Sequence, residues 1–295
     1  MVTAEYALAG TRRAPSSVRL PDGRTVLGSR ESRADIRYLY REIFERKCYE
    51  QHGIEISGRP TVVDVGANIG LYALRVTDLA PRAKVFCFEP APPTYACLKA
   101  NVTGRPGVVT FNAALMEAPQ TLEIAFYPHS PGNSTLFPEQ KAREIAQFSE
   151  QWTLRRMWQL NKFGAVFMGL TYPVFHRLQR FALNRLLRGA STFRCRAMTL
   201  DQLFEEQRID AIDLLKVDVE GAEQAVFDGL SQPNLERVRQ AVVEISPGHK
   251  AWIPTLEARL TCAGFDRLVF ESVVPGGDPR TDAYPCNIYA TRSRT

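Results

Sequence analysis

Short apolar bursts separated by polar turns alternate along this chain between strand and helix spacing, and their order predicts the architecture. Val62, Val63 and Val65 flank Asp64 in a β-run that breaks into a loop holding Gly66 and Gly70. Leu71, Tyr72, Leu74 and Val76 then recur at helical spacing. Further β-runs are expected at 85–88, 108–112, 214–217, 242–245, 267–271 and 287–290, with helices near 70–80, 92–103, 199–207, 221–229 and 252–263. Strands alternating with helices predict an α/β fold built on a seven-stranded, doubly wound sheet. Ahead of it, Val18 and Leu20, a Pro21-Asp22-Gly23 turn, then Val26 and Leu27 read as a hairpin. Residues 35–52 have helical spacing, with Ile36, Leu39, Tyr40 and Ile43 on one side, and are expected to cap the site.

Strand, glycine loop and helix in succession form a ligand-binding corner of such sheets. The second apolar run, Val85-Phe86-Cys87-Phe88, ends at Glu89, where an acid suits the two hydroxyls of a ribose. The loop G-A-N-I-G lacks the G-x-G-x-x-G of dinucleotide sites and the G-K-[ST] of a P-loop. Asp64 just before the loop would repel a pyrophosphate but could accept hydrogen bonds from an ammonium group. The pair Asp64 and Glu89 therefore favours S-adenosylmethionine, which carries an ammonium, a ribose and no phosphate, over NAD.

The segments DVGANIG, FEPAPPTYACLKANV, FNAAL and LLKVDVEGAE occur in the order seen in the FkbM-type family of S-adenosylmethionine-dependent methyltransferases, which this chain resembles over roughly residues 38–292. The run LYREIFERKCYEQHGIEI and the segment FYPHSPGNSTLFPE are closest to members that accompany polyketide and nonribosomal peptide assembly lines. The resemblance implies a Rossmann-like class I methyltransferase fold with strand order 3-2-1-4-5-7-6. It places the methionine end of the cofactor at Asp64, Gly66, Asn68 and Gly70, and adenine at Asn112 and Ala113. Asn68 could instead simply stabilise the turn, and Asn112 could cap a loop.

Candidate catalytic groups follow from the sheet. Substrates of open α/β sheets lie at the carboxyl ends of strands, so Asp218 and Glu220 should point towards the transferred methyl; Glu220 could also cap the next helix or pair with Lys216. An alcohol acceptor benefits from a base. His249, in the loop after the fifth strand, is the first candidate, with Glu244 or Glu220 to orient it; His52, beside Tyr49, is the second. No metal cluster is apparent, and no metal is expected.

Length, charge and cysteines set the frame. The division expected is an N-terminal arm, hairpin and capping helix at 1–58, then a methyltransferase domain at 59–295 with a helical insertion at 138–192. That insertion holds nine Lys or Arg and three Asp or Glu, against a net charge of +5 for the chain of 295 residues. From Val174, the residues Val174, Leu178, Ala182 and Leu186 recur every four among Arg177, Arg180, Arg185 and Arg188, a basic amphipathic helix. Packing on its own domain, a lid, or docking of an acidic carrier are the readings of that face. No apolar run is long enough for a membrane span and no signal peptide is visible. Six scattered cysteines fit free thiols and a reducing cytoplasm. The expected function is O-methylation of a hydroxyl on a small specialised metabolite, free or tethered to a carrier protein, without nucleic acid or membrane. N- or C-methylation is the alternative, and an NAD-dependent oxidoreductase or a basic nucleic-acid-binding protein are the readings from other classes.

Overall fold

The computed structural model describes residues 15–144, 189–274 and 276–293. A hairpin, β1 (Ser16–Arg19) and β2 (Thr25–Gly28), leads into helix α1 (Arg33–Tyr40). The helix widens into a π-helical turn at Arg41–Arg46 and stops at Lys47, whose φ of 54° is left-handed. The helix expected to reach residue 52 therefore ends one and a half turns earlier, and the chain turns back at 47–50 so that Tyr49 points inward.

The central sheet has seven strands: β3 (Thr61–Val65), β4 (Lys84–Phe88), β5 (Val108–Phe111), β9 (Leu214–Val217), β10 (Gln240–Ile245), β11 (Arg267–Ser272) and β12 (Cys286–Thr291). Their spatial order is β11-β12-β10-β9-β3-β4-β5, which is the order 3-2-1-4-5-7-6 read from the other edge. β12 runs antiparallel between β10 and β11, and the other pairs are parallel. Both faces are covered, so the central strands are apolar on both sides. Val63, Phe86, Leu215 and Val243 enter one core, and Val62, Val85, Leu214 and Val242 the other. Each such side chain contributes about 1.5–3 kcal/mol on burial. The hairpin and α1 share the second core through Val18, Val26, Ile36 and Ile43.

Helices α2 (Leu71–Leu79), α3 (Pro92–Asn101), α4 (Leu200–Glu206), α5 (Glu223–Asp228), α6 (Gln232–Leu235) and α7 (Ile253–Cys262) complete the described fold. Sequence signals set several of their ends. Proline opens α3, and Thr199 with Gln202 forms a reciprocal capping box for α4. Asn101 at the end of α3 has a wider role: its amide donates to Leu27 O at 3.0 Å and to Ile69 O at 2.9 Å, while its Oδ1 accepts from Leu27 N at 2.7 Å. One side chain thus ties the hairpin to the glycine loop.

The stretch between the third and fourth core strands differs from expectation. β6 (Ala113–Leu115), β7 (Gln120–Phe126) and β8 (Ser191–Met198) form a second sheet in the order β6-β8-β7. The expected insertion boundary at 192 falls inside β8, because its flanks are strands that pair across it. The basic amphipathic pattern from Val174 lies outside the described residues.

Candidate active site

The carboxyl ends of β3, β4, β9 and β10 open into a cavity of about 450 Å³. The α1 side supplies Asp35, Glu42 and Tyr49, and the segment 131–136 with Lys141 and Glu144 covers it from the other side. Asp35 joins the two covers, accepting from Ser130 Oγ at 3.4 Å and Gly132 N at 3.3 Å.

The loop after β3 is held in an alternating backbone pattern, with left-handed φ at Gly66 (81°), Asn68 (50°) and Gly70 (89°). Asn68 tolerates that conformation because its Oδ1 accepts from Ile69 N at 2.7 Å. Gly66 is required for a different reason than ligand approach: a Cβ there would collide with the carbonyl oxygen of Asp218. Every amide from 66 to 70 is already spent. Gly66 N and Ala67 N donate to Phe88 O, Asn68 N to Glu89 Oε2, Ile69 N to Asn68 Oδ1, and Gly70 N to Ala67 O. A phosphate-binding loop needs such amides free; this one has none to offer.

Glu89 closes the corner. Its Oε2 accepts from Asn68 N at 3.1 Å and its Oε1 from Ala91 N at 2.9 Å. Each carboxylate oxygen keeps a lone pair beyond that bond, and Glu89 lines the cavity. Burial pushes its carboxyl up to about 7 against the pull of the two amides. Asn112 lies behind it: its amide donates to Glu89 O at 2.9 Å and Pro90 O at 3.1 Å, bracing the turn, whereas Ala113 lines the cavity.

A charged row crosses the sheet beneath. Asp64 is fully buried and Lys216 nearly so, with Nζ 3.1 Å from Asp64 Oδ1 and 3.7 Å from Asp218 Oδ2. The ammonium hydrogen bonds go to Gly66 O at 2.9 Å and Val65 O at 3.4 Å. Asp64 therefore receives charge without a well-directed hydrogen bond from the described residues. Burial raises Asp64 above the usual carboxylate range; burial pulls Lys216 down, but Asp64 and Asp218 more than offset it and leave the amine above its ordinary value. One step further along the strands, Asp218 Oδ2 accepts from Tyr49 Oη at 2.7 Å. Glu220, with a left-handed φ of 54°, is ion-paired with Lys141 rather than Lys216. Burial pushes it up to about 7 while Lys141 opposes.

The structure brings Asp218 and Glu220 into the cavity wall but neither histidine. His249 Nδ1 lies 3.2 Å from Glu223 Oε2, and Glu223 also accepts from Gly221 N at 2.9 Å and Ser246 Oγ at 3.0 Å. This dyad opens onto a separate groove beside Phe137 and Gly221. Its bond to Glu223 raises the imidazole above its ordinary value. His52 Nε2 lies 3.2 Å from Glu271 Oε2 with its ring against Tyr289, at the β11 and β12 edge of the sheet. Tyr49, Glu42 and Lys141 are site residues that the sequence reading did not assign. Tyr49 and Glu42 become visible only when α1 is known to stop at 46, and Lys141 lay inside the presumed insertion. Among the described residues no cluster of three or more His, Cys, Asp or Glu is placed to hold a metal ion, no helix is long and apolar enough to cross a membrane, and all six cysteines are free.

Comparison with known proteins identifies the family. The profile of the Methyltransferase FkbM domain matches residues 64–261. Methyltransferase sdnD of Sordaria araneosa is 34% identical over 245 residues, covering 80% of this chain and 84% of that protein. The 31-O-demethyl-FK506 methyltransferase FkbM of Streptomyces tacrolimicus is 32% identical over 230 residues, covering 78% and 81%. AMB antimetabolite synthetase AmbE of Pseudomonas aeruginosa is 36% identical over 230 residues; the match takes in 77% of this chain but only 10% of AmbE. A profile match reaching from the glycine corner to the last helix, together with relatives above 30% identity along most of their length, makes this chain a member of the FkbM methyltransferase family.

Proposed function

We propose that the protein is an S-adenosylmethionine-dependent O-methyltransferase acting on a hydroxyl of a specialised metabolite. The observation that carries the choice of donor is the spent loop: its amides from 66 to 70 are all satisfied internally, beside an acid at the tip of β4. Such a corner suits a nucleoside without phosphates and disfavours NAD. The residues present fit the group. Glu89 has spare lone pairs for ribose hydroxyls, the Tyr72 hydroxyl at the cavity wall has no partner among the described residues, and Ala113 leaves room for a flat base, whereas Asp64 is fully buried and does not line the cavity. When bound, the donor supplies an electrophilic methyl group. The chain's own contribution is alignment and exclusion of water. Asp218, fixed by Tyr49 and Lys216, orients polar groups at the strand ends, and the 131–136 segment with α1 closes over the reaction volume.

A metabolite acceptor is supported by the relatives: one is named for 31-O-demethyl-FK506, another is an antimetabolite synthetase. The second also supports an acceptor tethered to a carrier protein. The test is incubation with methyl-labelled S-adenosylmethionine and paired acceptors that differ only in a hydroxyl, including 31-O-demethyl-FK506. Label in the hydroxyl partner alone supports O-methylation. Label retained after the hydroxyl is removed moves the acceptor atom to nitrogen or carbon.

A further inference from the structure

The cavity contains more carboxylates than its two lysines can neutralise, and all but one have a partner. Glu89 takes two backbone amides, Asp218 takes Tyr49, and Glu220 is paired with Lys141. Asp35 accepts from Ser130 and Gly132, Glu144 from Gln140 and Gly248, and Glu42 from Tyr38. Glu244 alone has neither a hydrogen-bond donor nor a contacting cation among the described residues. It sits at the carboxyl end of β10, where the register Val243↔Val217 places it beside Asp218 and the register Glu244↔Asn287 places it beside β12. Its side chain lines the cavity.

We propose that Glu244 faces the acceptor and takes the proton from its hydroxyl. The inference rests on the methyl-transfer reading above. The geometry assigns the role by position: both histidines lie outside the cavity, and every other carboxylate there already receives a proton donor or an ammonium. The charged groups around Glu244 are Asp218 and Glu220 from the end of β9, Lys216 of β9, Glu42 from the α1 side, and Lys141 from the covering segment. Burial, then Asp218, Glu220 and Glu42, push its carboxyl well above the ordinary range, with Lys141 opposing. In its ionised form, a carboxylate so placed is a stronger base than an exposed one. In the step, the acceptor O–H bond breaks and its proton goes to Glu244. The acceptor oxygen uses its lone pair to bond the methyl carbon, and the donor sulfur keeps the pair of the broken bond and becomes a neutral thioether.

The test requires no acceptor. Sinefungin carries an amine where S-adenosylmethionine carries its methyl group; S-adenosylhomocysteine carries nothing there. Both are titrated calorimetrically into the wild type, Glu244→Gln and Asp218→Asn, in two buffers of different ionisation enthalpy. The wild type is expected to bind sinefungin about tenfold tighter than S-adenosylhomocysteine, with extra proton release because the amine favours the ionised form of Glu244. Glu244→Gln should lose both the preference and the extra proton while keeping its affinity for S-adenosylhomocysteine. Retention of both in Glu244→Gln, or their loss only in Asp218→Asn, overturns the assignment. Absence of any preference in a wild type that binds S-adenosylhomocysteine also overturns it. Failure of the wild type to bind either ligand instead refutes the donor reading.

Discussion

Lys216 and Asp64 face each other across β9 and β3, ammonium nitrogen 3.1 Å from carboxylate oxygen, and both are buried. The pair marks the depth at which the sheet changes from apolar to polar on this face. Below it lie Val62 and Leu214, above it Gly66 and Asp218. Breaking a buried pair leaves an uncompensated charge, so Lys216→Met is expected to cost about 3–5 kcal/mol in urea unfolding. Adding Asp64→Asn should recover about half of that or more. A single variant within about 1 kcal/mol of wild type would show that the pair is not buried as described.

Gly66 tests the backbone rather than the charge. Its φ of 81° and the Asp218 carbonyl exclude a side chain. Gly66→Ala should lose about 3 kcal/mol in the same unfolding measurement, and S-adenosylhomocysteine binding with it, because the loop that holds Glu89 must move. Unchanged stability would mean the strand ends are not packed this closely.

The carboxylates set a pH dependence. Glu89 and Glu220 are pushed from 4.5 to about 7, and Glu244 is pushed well above its ordinary value, all mainly by burial. A group whose folded value is raised contributes stability fully present below the unfolded value and lost as pH rises through the folded one. His249, raised by Glu223, acts in the same direction above its ordinary 6.5. The ligand-free protein should therefore melt about 5 °C lower at pH 8 than at pH 5.5, and Glu244→Gln should flatten the slope. A melting temperature that rises over this window contradicts the burial of these groups.

His249→Gln separates the second groove from the cavity. S-adenosylhomocysteine affinity should stay within about twofold and turnover of a labelled acceptor within about threefold, with roughly 1 kcal/mol of stability lost from the Glu223 bond. A hundredfold fall in turnover would bring the imidazole back into the chemistry.

The parallel core was legible because buried strands such as Val62–Val65, broken only by Asp64, and Val85–Phe88 read as apolar runs, each ending at a turn. β7 and β8 carried a signal too, with Leu122, Ile124 and Phe126 alternating, and Phe193, Cys195 and Ala197 likewise. Yet these strands pair across some 65 residues, and nothing local says that two alternating runs so far apart belong together. The histidines misled for a related reason. A loop at the right edge of the sheet can still point its side chain away, and a buried partner such as Glu223, the first residue of α5, decides that orientation only in three dimensions. Tyr49 was equally hidden, since its reach to Asp218 depends on the left-handed turn at Lys47.

The most direct test of the account is calorimetric titration of the wild type and Glu89→Gln with S-adenosylhomocysteine, with NAD in parallel. Micromolar binding of S-adenosylhomocysteine and none of NAD is expected, with the affinity weakened about tenfold or more in Glu89→Gln. Binding of NAD alone, or S-adenosylhomocysteine binding indifferent to Glu89, would contradict it.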